Sequence, residues 1–136
     1  TVLDHIPAEN VYKALDLLNL KGLESQITIG INLASKLHGK KGIIKIADKF
    51  FEAEELNKLA LIAPKATVNV IRDFKVVEKK TLETPEEVIG IAKCRNPKCV
   101  TNHQPIKTRF KTVVENDKIS LKCHYCEKIS AIKHVF

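Results

Sequence analysis

The sequence has no methionine, no tryptophan and only two tyrosines. With Thr1 in first place and no methionine anywhere, a segment upstream of Thr1 is expected, and no signal-peptide pattern is visible. Long hydrophobic runs are missing as well. The richest apolar stretch, ITIGINLASKL, is broken by polar side chains every second or third residue, far short of the roughly 18 apolar residues of a membrane helix. A soluble, cytoplasmic protein with no membrane partner is the expectation. Catalytic motifs are also absent. GKKG at 39–42 is not part of a GxxxxGK[ST] loop, so a nucleotide-hydrolysing site has no support. No nucleophile, base and orienting group assemble from the sequence, which argues against an enzyme.

What is present folds, because 44% of the residues are hydrophobic. The net charge of +7 is unevenly spread: residues 1–85 carry 13 Lys and Arg against 11 Asp and Glu, and residues 86–136 carry 10 against 5. A basic tail invites an anionic partner, although four thiolates on a divalent ion would remove about two of those charges.

The segment AENVYKALDLLNLKG sets Val11, Leu15 and Leu18 on one helical face, with Pro7 suited to the first turn and Gly22 to a C-terminal cap. QITIGINL alternates, Ile27, Ile29, Ile31 and Leu33 on a packed side and Thr28, Gly30 and Asn32 on the other. A turn in SKLHGKKG, a strand in KKGIIKIA, a helix in FEAEELNKLALIAP carrying Leu56 and Leu59, and two strands in TVNVIRDFKVV follow. One more strand, supplied from upstream of Thr1, would complete a ferredoxin-like α+β pattern. EKKTLETPEEVIG loses the apolar period and contains Pro85, so it reads as the linker between a domain at 1–85 and a small all-β domain at 86–136.

All four cysteines fall in that second domain, as Cys94-x4-Cys99 and Cys123-x2-Cys126 with 23 residues between the pairs. About fifty residues is small for a self-sufficient core, and such units need a staple. Two knuckle-like turns brought together by a hairpin would offer four thiolates to one zinc ion, filling its shell and making the site structural. Two disulfides, four unrelated buried thiols or a redox CxxC are the alternatives, and the last leaves Cys94 and Cys99 unexplained. His103, His124 and His134 are candidate substitute ligands, read as surface or packing residues because the cysteines already number four. In the first domain Lys40, Lys41, Lys45 and Lys79 surround the strands. Lys41 and Lys45 share a parity, so both can project from one face toward a phosphate chain, although a lysine cluster is more often a solvated face. Asp4 and His5 precede the first helix as a cap or as ordinary surface residues.

TVLDHIPA, ITIGINL, KKGIIKI, LALIAPKATVNVI and CRNPKC…LKCHYCEK together resemble the regulatory chains of aspartate carbamoyltransferase, from Thr1 to the final strand. The resemblance implies a noncatalytic subunit of pyrimidine biosynthesis, with a domain that binds CTP and ATP, UTP being a further candidate, and a zinc domain that holds the catalytic chain. It also implies a regulatory-chain homodimer within a dodecamer of six catalytic and six regulatory chains. Carried over motif by motif, Asp4, His5, Lys41, Lys45, Asn69, Ile71, Val76 and Lys79 would line the nucleotide site, and Cys94, Cys99, Cys123 and Cys126 would hold zinc. The family has a further strand at the front, which this chain is expected to begin just after. Two other readings compete. A nucleic-acid-binding sheet is disfavoured because ITIGINL and GIIKIA contain no aromatic residue for stacking. A zinc adaptor without a small-molecule ligand would ignore added nucleotide.

Overall fold

The computed structural model describes residues 1–20, 22–36, 39–116 and 118–136. It divides into two compact units, Thr1–Glu83 and Thr84–Phe136. Both are built mostly of strands with a few short helices.

In the first unit, β1 (Val2–Pro7), β2 (Ile27–Ser35), β3 (Gly39–Ile46), β4 (Thr67–Arg72) and β5 (Lys75–Thr81) make one antiparallel sheet in the order β2-β3-β1-β4-β5. Two short helices, α1 (Val11–Leu17) and α2 (Ala53–Asn57), lie between β1 and β2 and between β3 and β4. Leu3, Ile6, Ile44, Ile46 and Val68 from the strands are buried together with Val11, Ala14, Leu56 and Leu59 from the helical segments. Side chains alternate along a strand, so Val2, Asp4, Lys41, Lys45, Thr67 and Asn69 emerge on the opposite face. A Glu52–Glu55 capping box starts α2, and Asn10 Nδ2 donates to the Ile62 carbonyl at 2.7 Å, tying the two helical segments together. Gly42 has a packing reason: a Cβ there would lie 2.1 Å from Val11 Cγ2.

Several expectations change. The pattern needs no strand from upstream of Thr1 to lead it, because VLDHIP forms β1, although DHIP reads in sequence as the approach to a helix. The local signal is poor because β1 bulges: Leu3 pairs with Ile44 and Ile6 with Gly42, so three steps on β1 match two on β3, and His5 sits at φ 60°. Pro7 ends that strand rather than opening α1. α1 is capped by Asn19 at φ 52°, three residues before Gly22, and Ala14, not Leu15, is fully buried between Val11 and Leu18. In β2 a second bulge at Asn32 (φ 62°) reverses the alternation, so Leu33 pairs with Lys41 and leaves the packed face that Ile27 and Ile29 share. As an edge strand β2 leaves Ile29 and Leu33 more than a third exposed. Leu37 and His38 of the expected turn lie outside the described residues. The linker is shorter than the charge run suggests, since Glu78–Thr81 belongs to β5 and Glu87 opens β6.

The second unit is a four-stranded antiparallel sheet, β6 (Glu87–Ile89), β7 (Arg109–Glu115), β8 (Lys118–Cys123) and β9 (Ile129–Ala131) in sequence order, closed by the helical turn α3 (Ile132–Val135). Val88, Phe110, Leu121 and Val135 are buried with three of the four cysteines, a core too small to stand without them.

Candidate functional site

On the outer face of the first sheet, the register aligns side chains from all five strands. Thr28 pairs with Lys45, Lys45 with Val2, Val2 with Asn69 and Asn69 with Lys79. Paired residues hold their Cβ atoms about 4.5–5.5 Å apart, so this is a continuous row across the sheet. One step along lie Asp4, opposite Thr67, and one step the other way lies Ile71, opposite Val76. Val76 and Lys79 have opposite parity in the sequence. They share a face because a bulge at Val77 separates the pairs Val70–Glu78 and Ile71–Val76.

The β1 bulge does the same for Asp4 and His5. It lets two successive polar residues occupy the outer side while Leu3 and Ile6 on either side stay fully buried. Asp4 Oδ1 accepts from the His5 backbone N–H at 2.7 Å and lies 2.9 Å from Lys41 Nζ. His5 Nδ1 is 3.3 Å from Thr67 Oγ1. Partial burial pushes the Asp4 carboxyl up, but the hydrogen bonds from Lys41 and the His5 N–H and the charges beside it outweigh that, holding it below its ordinary 3.8. Lys41 is thus anchored by a carboxylate. Lys45 and Lys79 carry no ion pair among the described residues and are exposed. Lys40, of the opposite parity to Lys41, lies off this row, beside a cavity with His5, Pro7 and Lys65.

An open cleft of about 480 Å³ runs along one end of the row, lined by Val2, Thr28, Lys45 and Ile71 together with Asp73 and Phe74. Val2, Thr28, Asp73 and Phe74 were not among the residues expected from the sequence. The first two could be found only through register. Asp73 and Phe74 form the two-residue β4–β5 turn at φ 50° and 65°, and Phe74 is wholly exposed.

In the second unit, the sulfurs of Cys94, Cys99, Cys123 and Cys126 all lie within 4.8 Å of one another. Cys94 Sγ is 3.7 Å from Cys126 Sγ and Cys99 Sγ is 3.7 Å from Cys123 Sγ, so the two knuckles interlock crosswise. A disulfide needs about 2.05 Å. A tetrahedron with zinc–sulfur bonds of about 2.3 Å has edges of about 3.8 Å. The geometry fits one structural zinc, with no position left for water, and all four cysteines are free rather than joined as disulfides.

The hairpin β7–β8 carries Cys123 to the cluster, and the backbone turns after it, Glu127 N–H donating to the Cys123 carbonyl at 2.9 Å. Burial raises the thiol of Cys94, to about 12. Burial acts the same way on Cys126, but backbone donation from Lys128 and hydrogen bonds from Asn96 and the neighbouring cysteines prevail and lower it to about 7. The Cys99 thiol is lowered as well, its burial outweighed by hydrogen bonds from Thr101 and the neighbouring cysteines, and four thiolates together require a cation. None of the three candidate histidines joins the cluster. His103 Nε2 is 2.7 Å from the Pro97 carbonyl, His124 stacks edge-on to Tyr125, and His134 lies on α3.

Residues 1–83 match the family model described as the allosteric domain of the aspartate carbamoyltransferase regulatory chain, and residues 86–136 match the metal-binding domain of the same chain. A regulatory chain from Porphyromonas gingivalis is 52% identical over 127 residues, 93% of this chain and 83% of its own. One from Bacteroides thetaiotaomicron is 53% identical over 128 residues, 94% and 83% of the respective chains. The similarity extends to Thermococcus sibiricus, whose regulatory chain is 48% identical over 128 residues, 94% and 84%.

Proposed function

The chain belongs to the family of aspartate carbamoyltransferase regulatory chains, noncatalytic subunits of a pyrimidine-pathway enzyme, and from that membership we propose how its two units divide the work. Residues 1–85 are the effector domain. The element order β1-α1-β2-β3-α2-β4 supports a ferredoxin-like fold, and in this reading its open face takes a nucleoside triphosphate, CTP or ATP and also UTP.

The observation that carries this reading is the cross-sheet row. Lys45 and Lys79 flank Val2 and Asn69, and Lys41 stands nearby, fixed by Asp4. The lysines and His5 meet phosphate and ribose oxygens. Asn69, a donor and an acceptor, reads a polar edge, and Ile71 and Val76 give the base an apolar floor.

Residues 86–136 are the domain that contacts the catalytic chain. Cys94, Cys99, Cys123 and Cys126 hold the zinc, which supplies the folding energy of a unit with too small a core. Paired with a second regulatory chain, the protein bridges catalytic trimers in a cytoplasmic dodecamer of six catalytic and six regulatory chains. Regulation requires only that an effector bind the two quaternary states unequally, with a coupling of about 1–3 kcal/mol.

The test is an aspartate saturation curve of the cognate catalytic trimer with and without the zinc-loaded chain, and with CTP or ATP added. A larger assembly whose curve moves with nucleotide supports the proposal. Assembly without any response to nucleotide leaves only the adaptor role, and no assembly refutes both.

A further inference from the structure

The two cysteine loops solve the same problem with different resources. Cys123 and Cys126 are separated by two residues, and their loop is closed by its own backbone: Glu127 N–H donates to the Cys123 carbonyl at 2.9 Å and Cys123 N–H to the Lys128 carbonyl at 3.0 Å. Cys94 and Cys99 are separated by four residues, a loop with more conformations to lose on ordering. Within it, the Cys99 N–H reaches the Asn96 carbonyl at 3.0 Å and the Lys98 N–H reaches Asn96 Oδ1 at 3.1 Å. Those bonds fix the second half of the loop; at its start the Asn96 backbone N–H bonds the Cys94 thiol, which leaves the Cys94 carbonyl to be held.

The missing contacts come from the 3-10 turn Val100–Asn102 that directly follows Cys99 and from the residue after it. Three consecutive side chains turn back onto the loop. Thr101 Oγ1 lies 3.2 Å from Cys99 Sγ, and His103 Nε2 donates to the Pro97 carbonyl at 2.7 Å. Between them Asn102 Nδ2 donates to the Cys94 carbonyl at 3.1 Å and to the Asn96 carbonyl at 2.7 Å. One amide therefore uses both of its hydrogens to hold the backbone at Cys94 against the turn after Cys99. It is half-buried, so these bonds are shielded from competing water better than the exposed His103 contact.

We propose that Asn102 is the positioning residue of the metal centre: it does not ligate, and it holds the longer cysteine loop in the shape that sets Cys94 Sγ for zinc. The proposal rests on the zinc reading of the four cysteines. Its physical content is preorganisation. A loop fixed before the ion arrives loses less freedom when the ion binds, and losing an outer partner of a ligand costs roughly 10–100-fold in metal affinity.

The experiment uses the full chain with Asn102→Ala and with Asn102→Asp, which keeps the size but faces two carbonyls with a side chain that has no N–H to donate. Zinc affinity is read by competition with a chromophoric chelator, and ligand geometry by the absorption bands of the cobalt-substituted protein. Both variants are expected to bind zinc roughly 10–100-fold more weakly and to shift the cobalt bands, with His103→Ala changing both far less. Wild-type affinity and unshifted bands in Asn102→Asp overturn the proposal. A variant that stays unfolded at saturating metal also overturns it, because lost positioning is recovered by mass action and a lost fold is not. If the unaltered chain takes up no stoichiometric zinc, it is the zinc reading that fails.

Discussion

Replacing Lys45 and Lys79 by alanine, singly and together, tests the proposed nucleotide site most directly. The two residues sit on β3 and β5 at opposite sides of the Val2–Asn69 pair, three strand spacings apart. At about 4.8 Å per spacing their backbones are roughly 14 Å apart. Each four-carbon stem reaches ~6 Å, so two ammonium groups can close on one phosphate chain from either side. A hydrogen bond to a charged group contributes about 1.5–3 kcal/mol, and exposure here argues for the lower end. Since about 1.4 kcal/mol is tenfold, each single variant should bind CTP roughly tenfold more weakly. The pair together should approach a hundredfold, or less if both lysines grip the same phosphate.

Titration calorimetry with CTP and with cytidine, at low and high salt, separates the contributions. Binding of CTP should weaken with each substitution and lose part of its salt dependence, while any cytidine affinity stays constant. A double variant that binds CTP as tightly as the parent refutes the assignment. So does one that loses cytidine in equal measure, because the lysines would then be shaping the sheet rather than meeting phosphates.

Removing zinc with a chelator should abolish hydrogen-exchange protection in residues 84–136 and assembly with catalytic trimers, while β1–β5 keep theirs; assembly retained after verified metal removal refutes the role of the ion. Gly42→Ala should destabilise the first unit by about 1–3 kcal/mol in urea titration, since its Cβ would meet Val11 Cγ2 at 2.1 Å, and Val11→Ala in the same chain should restore part of the loss. Asp4 has a lowered folded-state pKa, so its contribution is fully present above its ordinary 3.8 and fades as pH falls through the lower folded value. Asp4→Asn should accordingly flatten the acid limb of the first unit's stability curve below about pH 4, and a limb of unchanged slope would show that the Lys41 partnership contributes nothing to folding.

The metal centre was legible because its information is local. Four cysteines in two close pairs, in a unit with too little core, leave few chemical options, and the hairpin between the pairs needed only that β7 and β8 meet. What decided between metal and disulfide was a distance, 3.7 Å between sulfurs, which spacing along the chain does not contain. The strands of the first unit were legible from period-2 alternation in the first half of ITIGINL and from β-rich runs such as GIIKI and TVNVI. Alternation fails at β1, because the bulge at His5 gives DHIP a polar pair where a strand would show one polar residue, and in β2, where the bulge at Asn32 moves Leu33 to the other face.

The same bulges explain what sequence could not settle about the candidate nucleotide site. Each inserts one residue opposite none, which changes the parity of everything beyond it. Resemblance supplied Asp4 with His5 and Val76 with Lys79 as neighbours, while alternation alone would put each pair on opposite faces. Val2 and Thr28 join the row through partners more than fifteen positions away in the chain, so no window along the sequence contains them. By itself, then, the sequence determined residue chemistry and local period: a mixed α+β unit, a linker, four thiols in two close pairs and a handful of lysines. Only the tertiary structure decided which side chains face the same way, because strand register and bulges are set by pairing between distant segments and not by any residue alone.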